Sequence, residues 1–165
     1  MDRRSFLSAA AGVVAATSGC IGDGRVVLDR QKSVTIQPGM GWWAKLPDVG
    51  GNGALSFTVR AEQPFDVYYF TGADSFGHYE TYVTGGDPPR MPPGHRTLSQ
   101  AAVERDGEFG VQVPRDGGRE SIDTEGEHYF AVDHSNYGAG VPVEQYGDPL
   151  QAFVDLKVIE EQSPL

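Results

Sequence analysis

The clearest pattern along the chain is a strict alternation of apolar and polar positions. Leu55, Phe57, Val59 and Ala61 fall on one side, and Ser56, Thr58, Arg60 and Glu62 on the other. That is the period-two signature of a strand with one covered face. Ala152, Val154, Leu156 and Val158 repeat it near the end of the chain, and Val34 with Ile36, and Phe109 with Val111 and Val113, give shorter versions. Residues 65–71 (FDVYYFT) are β-branched and aromatic throughout, which predicts a central strand covered in part on both faces; residues 127–133 (EHYFAVD) predict another strong strand. Residues 25–29 and 33–37 read as two short strands, and residues 41–46 as a strand with Trp42, Ala44 and Leu46 on one face and Trp43 and Lys45 on the other.

Between these stretches lie turn signals: Pro38-Gly39-Met40-Gly41, the cluster VGGNG at 49–53, and Gln63-Pro64. Residues 72–94 show no period and close on DPPRMPPG, where paired prolines favour an extended or polyproline path. Residues 95–105 fit either a short helix or an edge strand. Residues 114–126 read as polar loop with an edge strand near Ser121-Ile122-Asp123, and 135–149 as a long loop rich in Gly, Pro and Tyr. With 22 glycines and 11 prolines in 165 residues, turns are favoured over long helices. Seven to nine short strands punctuated in this way predict an all-β fold: an antiparallel β-sandwich, jelly-roll-like.

The first 22 residues, MDRRSFLSAAAGVVAATSGCIG, follow a different logic. Arg3-Arg4 form a cationic head, Phe6 to Thr17 a short apolar stretch, and Ser18-Gly19-Cys20 a small-residue cleavage zone, the three parts of an export signal. The apolar stretch is too short to span a bilayer, which takes about 20 residues. Arg3-Arg4-Ser5-Phe6-Leu7 resembles the twin-arginine (Tat) signal, R-R-x-F-L, and Thr17-Ser18-Gly19-Cys20 resembles a lipobox. Two positions depart from those patterns: Asp2 stands where Ser or Thr is usual, and Thr17 where Leu or Val is usual. The resemblance implies handling by the Tat translocase through Arg3, Arg4, Phe6 and Leu7, and a two-chain lipid on Cys20 that holds the protein on the outer side of the cell membrane. Cys20 is the single cysteine of the chain, so no internal disulfide forms and the exported domain depends on its core.

The expected organisation is then a signal segment at 1–19, a lipidated short tether and first strand at 20–32, a β-sandwich at 33–159 and a frayed tail at 160–165. A strand ending in Pro38-Gly39, the tryptophan pair, Val67-Tyr68-Tyr69-Phe70 and the late run HYFAVDHS (128–135) are together similar to Golgi-dynamics-like and pre-peptidase C-terminal-like domains of secreted microbial proteins. That similarity implies binding or stabilising roles, not chemistry.

Charge narrows the partners. Without residues 1–19 the chain carries 11 basic and 22 acidic residues, and only Lys32, Lys45 and Lys157 are lysines. Such acid-rich, lysine-poor surfaces resemble those of proteins from salt-loving archaea, where dense carboxylates keep the surface hydrated. A net negative chain also lacks the positive footprint that nucleic acid requires.

No nucleophile elbow, H-E-x-x-H, phosphate loop or catalytic-type cysteine is present, so no catalytic residue and no cofactor is assigned. Four histidines remain, His78, His95, His128 and His134. His128 and His134 share one strand face, either capping the core side at its two ends or lying in water. Their convergence with His78 and His95 would be needed for a metal site. Asp133 reads as a buried carboxylate bonding loop N–H groups, or as a calcium ligand with Asp148 or Asp123. Exposed aromatics from the Trp42-Trp43 pair and from Tyr79, Tyr82, Tyr137 and Tyr146 would offer a stacking surface for glycans or a patch for a protein partner. The sequence reading is therefore a surface lipoprotein acting as a non-catalytic binding or envelope-structural module. Its alternatives are a carbohydrate- or solute-binding accessory and a metal protein using surface histidines.

Overall fold

The computed structural model describes residues 24–86, 96–113, 120–138 and 148–162. The export motif with Cys20, the proline run, His95 and Tyr146 lie outside the described residues. Ten strands and one helix follow in the order β1 (Gly24–Ile36), β2 (Met40–Lys45), β3 (Gly53–Ala61), β4 (Asp66–Thr71), α1 (Ala73–Val83), β5 (Arg96–Ala101), β6 (Val103–Arg105), β7 (Glu108–Val113), β8 (Glu120–Ile122), β9 (His128–His134) and β10 (Leu150–Glu161).

All pairings are antiparallel and form two sheets. The first runs β1-β10-β3-β7-β6, with β8 pairing the start of β3, and the second runs β2-β9-β4-β5. Setting aside the short β6 and β8, the principal strands interleave between the sheets as β1, β10, β3, β7 against β2, β9, β4, β5. This is the double Greek key of a jelly roll.

Several sequence expectations are revised. The two short strands expected at 25–29 and 33–37 are one continuous β1, which pairs β10 from Gly24↔Glu161 to Ile36↔Leu150 with a register shift between Val26 and Leu28. The sheet thereby takes in Glu160 and Glu161 of the segment expected as a frayed tail, and the first strand expected within 20–32 begins at Gly24. Residues 95–105, open between helix and strand, supply β5 and β6, so the strand count rises to ten. The aperiodic middle contains α1, which was not expected.

Two hydrophobic clusters hold the layers. Between the sheets, Leu55, Phe57 and Val59 of β3 and Val154, Leu156 and Val158 of β10 meet Val67 and Tyr69 of β4 and Phe130 and Val132 of β9. Phe57 and Phe130 touch across the layers, ring centroids 4.7 Å apart. On the other face of the second sheet, Tyr68, Phe70 and Ala131 are covered by Phe76, Tyr79 and Val83 of α1, with Tyr137 alongside. An isolated helix of 11 residues is marginal in water. Its cap, Gly72, makes no side-chain hydrogen bond to it, so packing holds it in place. Phe76 stacks on Tyr129 at 4.0 Å and 5°, and Tyr79 packs edge-on against Tyr68 at 5.6 Å.

Gly41 sets how closely the helix docks. It pairs with Asp133 across β2 and β9, and the Tyr79 hydroxyl occupies the space that a Cβ on Gly41 would take. Gly41→Ala should push Tyr79 off its seat and cost about 1–3 kcal/mol in urea unfolding. Tyr79→Phe removes the hydroxyl that clashes, so Gly41→Ala should cost less in that background. The double-mutant cycle should close with a favourable coupling, and strict additivity would contradict this seating.

Candidate functional site

His128, His134 and Asp133, the residues singled out on β9, form closed networks within the fold. His128 and His134 point with Phe130 and Val132 into the inter-sheet core and are 1% and 2% exposed. Six residues of strand separate them by about 20 Å, so they cap opposite ends of the core. His128 is held on both ring nitrogens. Nε2 donates to the Thr124 carbonyl at 2.9 Å, and in that tautomer Nδ1 accepts from the Tyr69 hydroxyl at 2.8 Å. His134 Nε2 donates to the Asp148 carbonyl at 3.0 Å. Of the two placements left open for them, the structure shows the core-side one, in which both rings cap the core and bond the loops beside it; the surface histidines of the metal-protein alternative are not found at these two positions. Among the described residues no three of His, Cys, Asp and Glu come together as a metal cluster.

The opposite face of β9 is also covered. Asp133, 1% exposed, accepts from the Tyr79 hydroxyl at 2.9 Å, from the Ser135 hydroxyl at 2.7 Å and from the Ser135 N–H at 3.3 Å. The Ser135 hydroxyl in turn accepts from the Tyr137 N–H at 3.2 Å. Asp133 thus bonds the loop that follows it, the first of the two roles read from sequence. Burial pushes its carboxyl up to about 6, against the hydrogen bonds from Ser135 and Tyr79, with Asp66 on the adjacent strand adding repulsion. Burial likewise holds the Tyr79 phenol well above its ordinary value and the Tyr69 phenol at about 12.

The aromatics expected as a stacking surface are used in the same way. Trp42 packs on the inter-sheet core, while Trp43, Tyr79, Tyr82 and Tyr137 belong to the cluster around α1. Trp43 lies 5.6 Å from Phe76, and Tyr82 lies 5.4 Å from Tyr137.

One open concavity lies elsewhere, on the outer face of the first sheet. It is a groove of about 420 Å³ lined by Ser33, Arg60, Glu62, Glu108, Gln151 and Phe153, with the Ala61 and Ala152 backbones beneath. Ser33, Phe153 and Arg60 stand in one transverse row, because β1, β10 and β3 place them in register. Gly110 continues the row opposite Arg60, and a Cβ there would meet only the Val59 carbonyl, at 3.7 Å. The Arg60 guanidinium lies over the Phe153 ring, Cζ 5.2 Å from its centroid, and makes no salt bridge among the described residues. The Gln151 amide oxygen accepts from the Thr35 hydroxyl at 2.8 Å, which turns its NH₂ away from Thr35.

Sequence reasoning did not identify this groove, although it placed Arg60 and Glu62 on the outward side. The available signal was Phe153, a large aromatic at an outward register of a strand whose inward positions are all aliphatic. Fold and site together define a jelly-roll β-sandwich with an open polar groove. No family model matches the chain, and no curated protein matches it.

The Asp133 carboxyl yields a pH prediction with a definite sign. Its folded value lies above the ordinary 3.8, so the native state binds the proton more tightly than the unfolded chain. Its contribution to stability is complete below about pH 4 and is lost as pH rises through about 6, in all about 3 kcal/mol. Asp133→Asn should flatten the fall in urea-unfolding stability between pH 4 and 6. An unchanged slope in that variant would show that other groups carry it.

Proposed function

We propose that this chain is an exported, lipid-anchored surface protein whose jelly roll acts as a non-catalytic binding module. The observation that carries the reading is the N-terminal sequence. Arg3-Arg4-Ser5-Phe6-Leu7, a short apolar stretch and the sole cysteine stand in the order that a twin-arginine lipoprotein requires. A lipid on Cys20 also consumes a thiol that would otherwise be unpaired in an oxidising compartment, and two acyl chains anchor firmly where one does not.

The fold fits this reading in two respects. β1 begins at Gly24, four residues beyond Cys20, so the Gly24 end of the sandwich lies nearest the anchor. The groove lies at the other end of the same strands, since Ser33 is nine residues along β1, about 30 Å further out. The buried hydrogen bonds of His128, His134 and Asp133 lie beyond reach of a substrate, which favours binding over catalysis. The partner is a surface protein or glycan, and the acidic chain disfavours nucleic acid.

The intact mass of the protein extracted from its own membranes tests the anchor. The expected denatured mass is residues 20–165 plus a two-chain lipid, and Cys20→Ser should move the protein out of the membrane fraction. A mass that retains residues 1–19, or one without lipid, would overturn the reading.

A further inference from the structure

We propose that the groove on the outer face of the first sheet binds a neutral saccharide chain, with Phe153 and Arg60 as its platform. This deepens the binding-module reading and rests on it for the exposure of the groove at the cell surface; the groove itself is read from the fold alone.

Three observations select this ligand class. First, the platform is amphipathic, because the partly buried Phe153 ring and the Arg60 guanidinium lie together in one row of the sheet, Cζ 5.2 Å from the ring centroid. The C–H face of a pyranose is apolar and its rim polar, so a ring laid on such a surface meets both kinds of group at once. Second, the groove mixes donors and acceptors. Arg60 and the Gln151 NH₂ donate, the Glu62 and Glu108 carboxylates accept, and the Ser33 hydroxyl does either. A sugar hydroxyl donates and accepts, so it can satisfy both sets.

Charge makes the third argument, since one arginine against two glutamates leaves the groove negative. An anionic sugar or phosphate meets repulsion from Glu62 and Glu108. A compact cation meets repulsion from the Arg60 guanidinium, which lies over the Phe153 ring. A neutral polyol escapes both penalties. The volume, about 420 Å³, lies within the range of small-molecule sites, roughly 300–1,000 Å³. Its five exposed lining side chains leave it open along the sheet, which suits a chain lying across the surface better than an engulfed small molecule.

These residues are not the aromatics that the sequence offered for glycan stacking. Tyr79 and Tyr137 are buried beneath or beside α1, and Trp43 packs partly buried against the same cluster. The outer face of the first sheet was left polar, and Phe153 is its one aromatic among the outward positions of β1, β3 and β10.

The test is isothermal titration of the full-length protein in detergent with cellohexaose, chitohexaose, mannohexaose and maltohexaose. A galacturonic acid hexamer and spermine are titrated alongside. The expected result is that at least one neutral hexasaccharide binds, with Kd of about 10⁻⁵–10⁻³ M and little dependence on salt, because no ion pair forms. Phe153→Ala and Glu108→Gln should each weaken it at least tenfold without moving Tm, while Thr58→Ala, on the same face but outside the groove, should leave it unchanged. If Phe153→Ala fails to fold, the exposed Arg60→Gln takes its place beside Glu108→Gln.

Binding of none of the four neutral sugars, binding that survives the groove variants, or tighter binding of spermine or of the galacturonic acid hexamer would overturn the proposal. The outcome is separable from the anchor. Lipidated protein that binds no sugar sinks the groove alone, and sugar binding by protein without lipid sinks the anchor alone.

Discussion

β4 and β9 lie side by side in the middle of the second sheet, and four consecutive residues of β4 and nearly all of β9 are buried. A strand whose successive side chains point to opposite faces reaches that state only if both faces are covered. The first sheet covers one face, through contacts such as Phe57 on Phe130. The other face carries Tyr68, Phe70 and Ala131 and needs a separate cover, which is α1. The helix, the glycine that seats it and the hydroxyl that joins it to Asp133 all follow from that need. So does the cost of Asp133, a carboxylate kept out of water in order to tie β9, α1 and the 135–137 loop together.

The first sheet has the opposite character. β10 alternates without a break from Leu150 to Val158, and its outward positions are Gln151, Phe153, Asp155 and Lys157. Cross-strand pairs such as Arg25–Glu160 at 2.6 Å and Lys157–Asp29 at 3.5 Å lie on exposed surface and contribute little to stability. Their value is solubility, and they keep the long edge strand β1 charged, which discourages pairing with other chains. Among the described residues, one sheet is therefore covered on both sides, and the other on one.

This division explains what could be read from the sequence and what could not. Strands with a single covered face announce themselves by period two, so β3, β7 and β10 were visible, as were the turns between them. The two-sided strands were visible as apolar runs, and 65–71 already implied cover on both faces. The cover itself was hidden. α1 is preceded by Gly72 at its N-cap, contains Gly77 and is too short to show more than Phe76, Tyr79 and Val83 at helical spacing. Local propensity argued against a helix there, and tertiary packing overrode it. The histidines were left open between core and water, and Tyr79 and Tyr137 were read as surface, for a related reason. Polar and aromatic groups near loops look like site residues, yet here His128, His134 and Tyr137 complete hydrogen bonds and rings at the ends of the two cores. The groove was illegible because it depends on register between strands far apart in sequence: Ser33, Arg60, Glu108 and Phe153 meet only once β1, β3, β7 and β10 are aligned.

Reactive chemistry requires a polar group that is both poised and reachable. Among the described residues, the Asp133 carboxyl held near 6 and the ring nitrogens of His128 have their hydrogen-bonding capacity taken up inside the fold. The reachable groups, Arg60, Glu62, Glu108 and Gln151, lie on a solvated face where their ordinary chemistry is recognition. A jelly roll built in this way separates the two properties onto different sheets. The binding role proposed above needs only the second, and the groove it would use lies about 30 Å along β1 from Gly24.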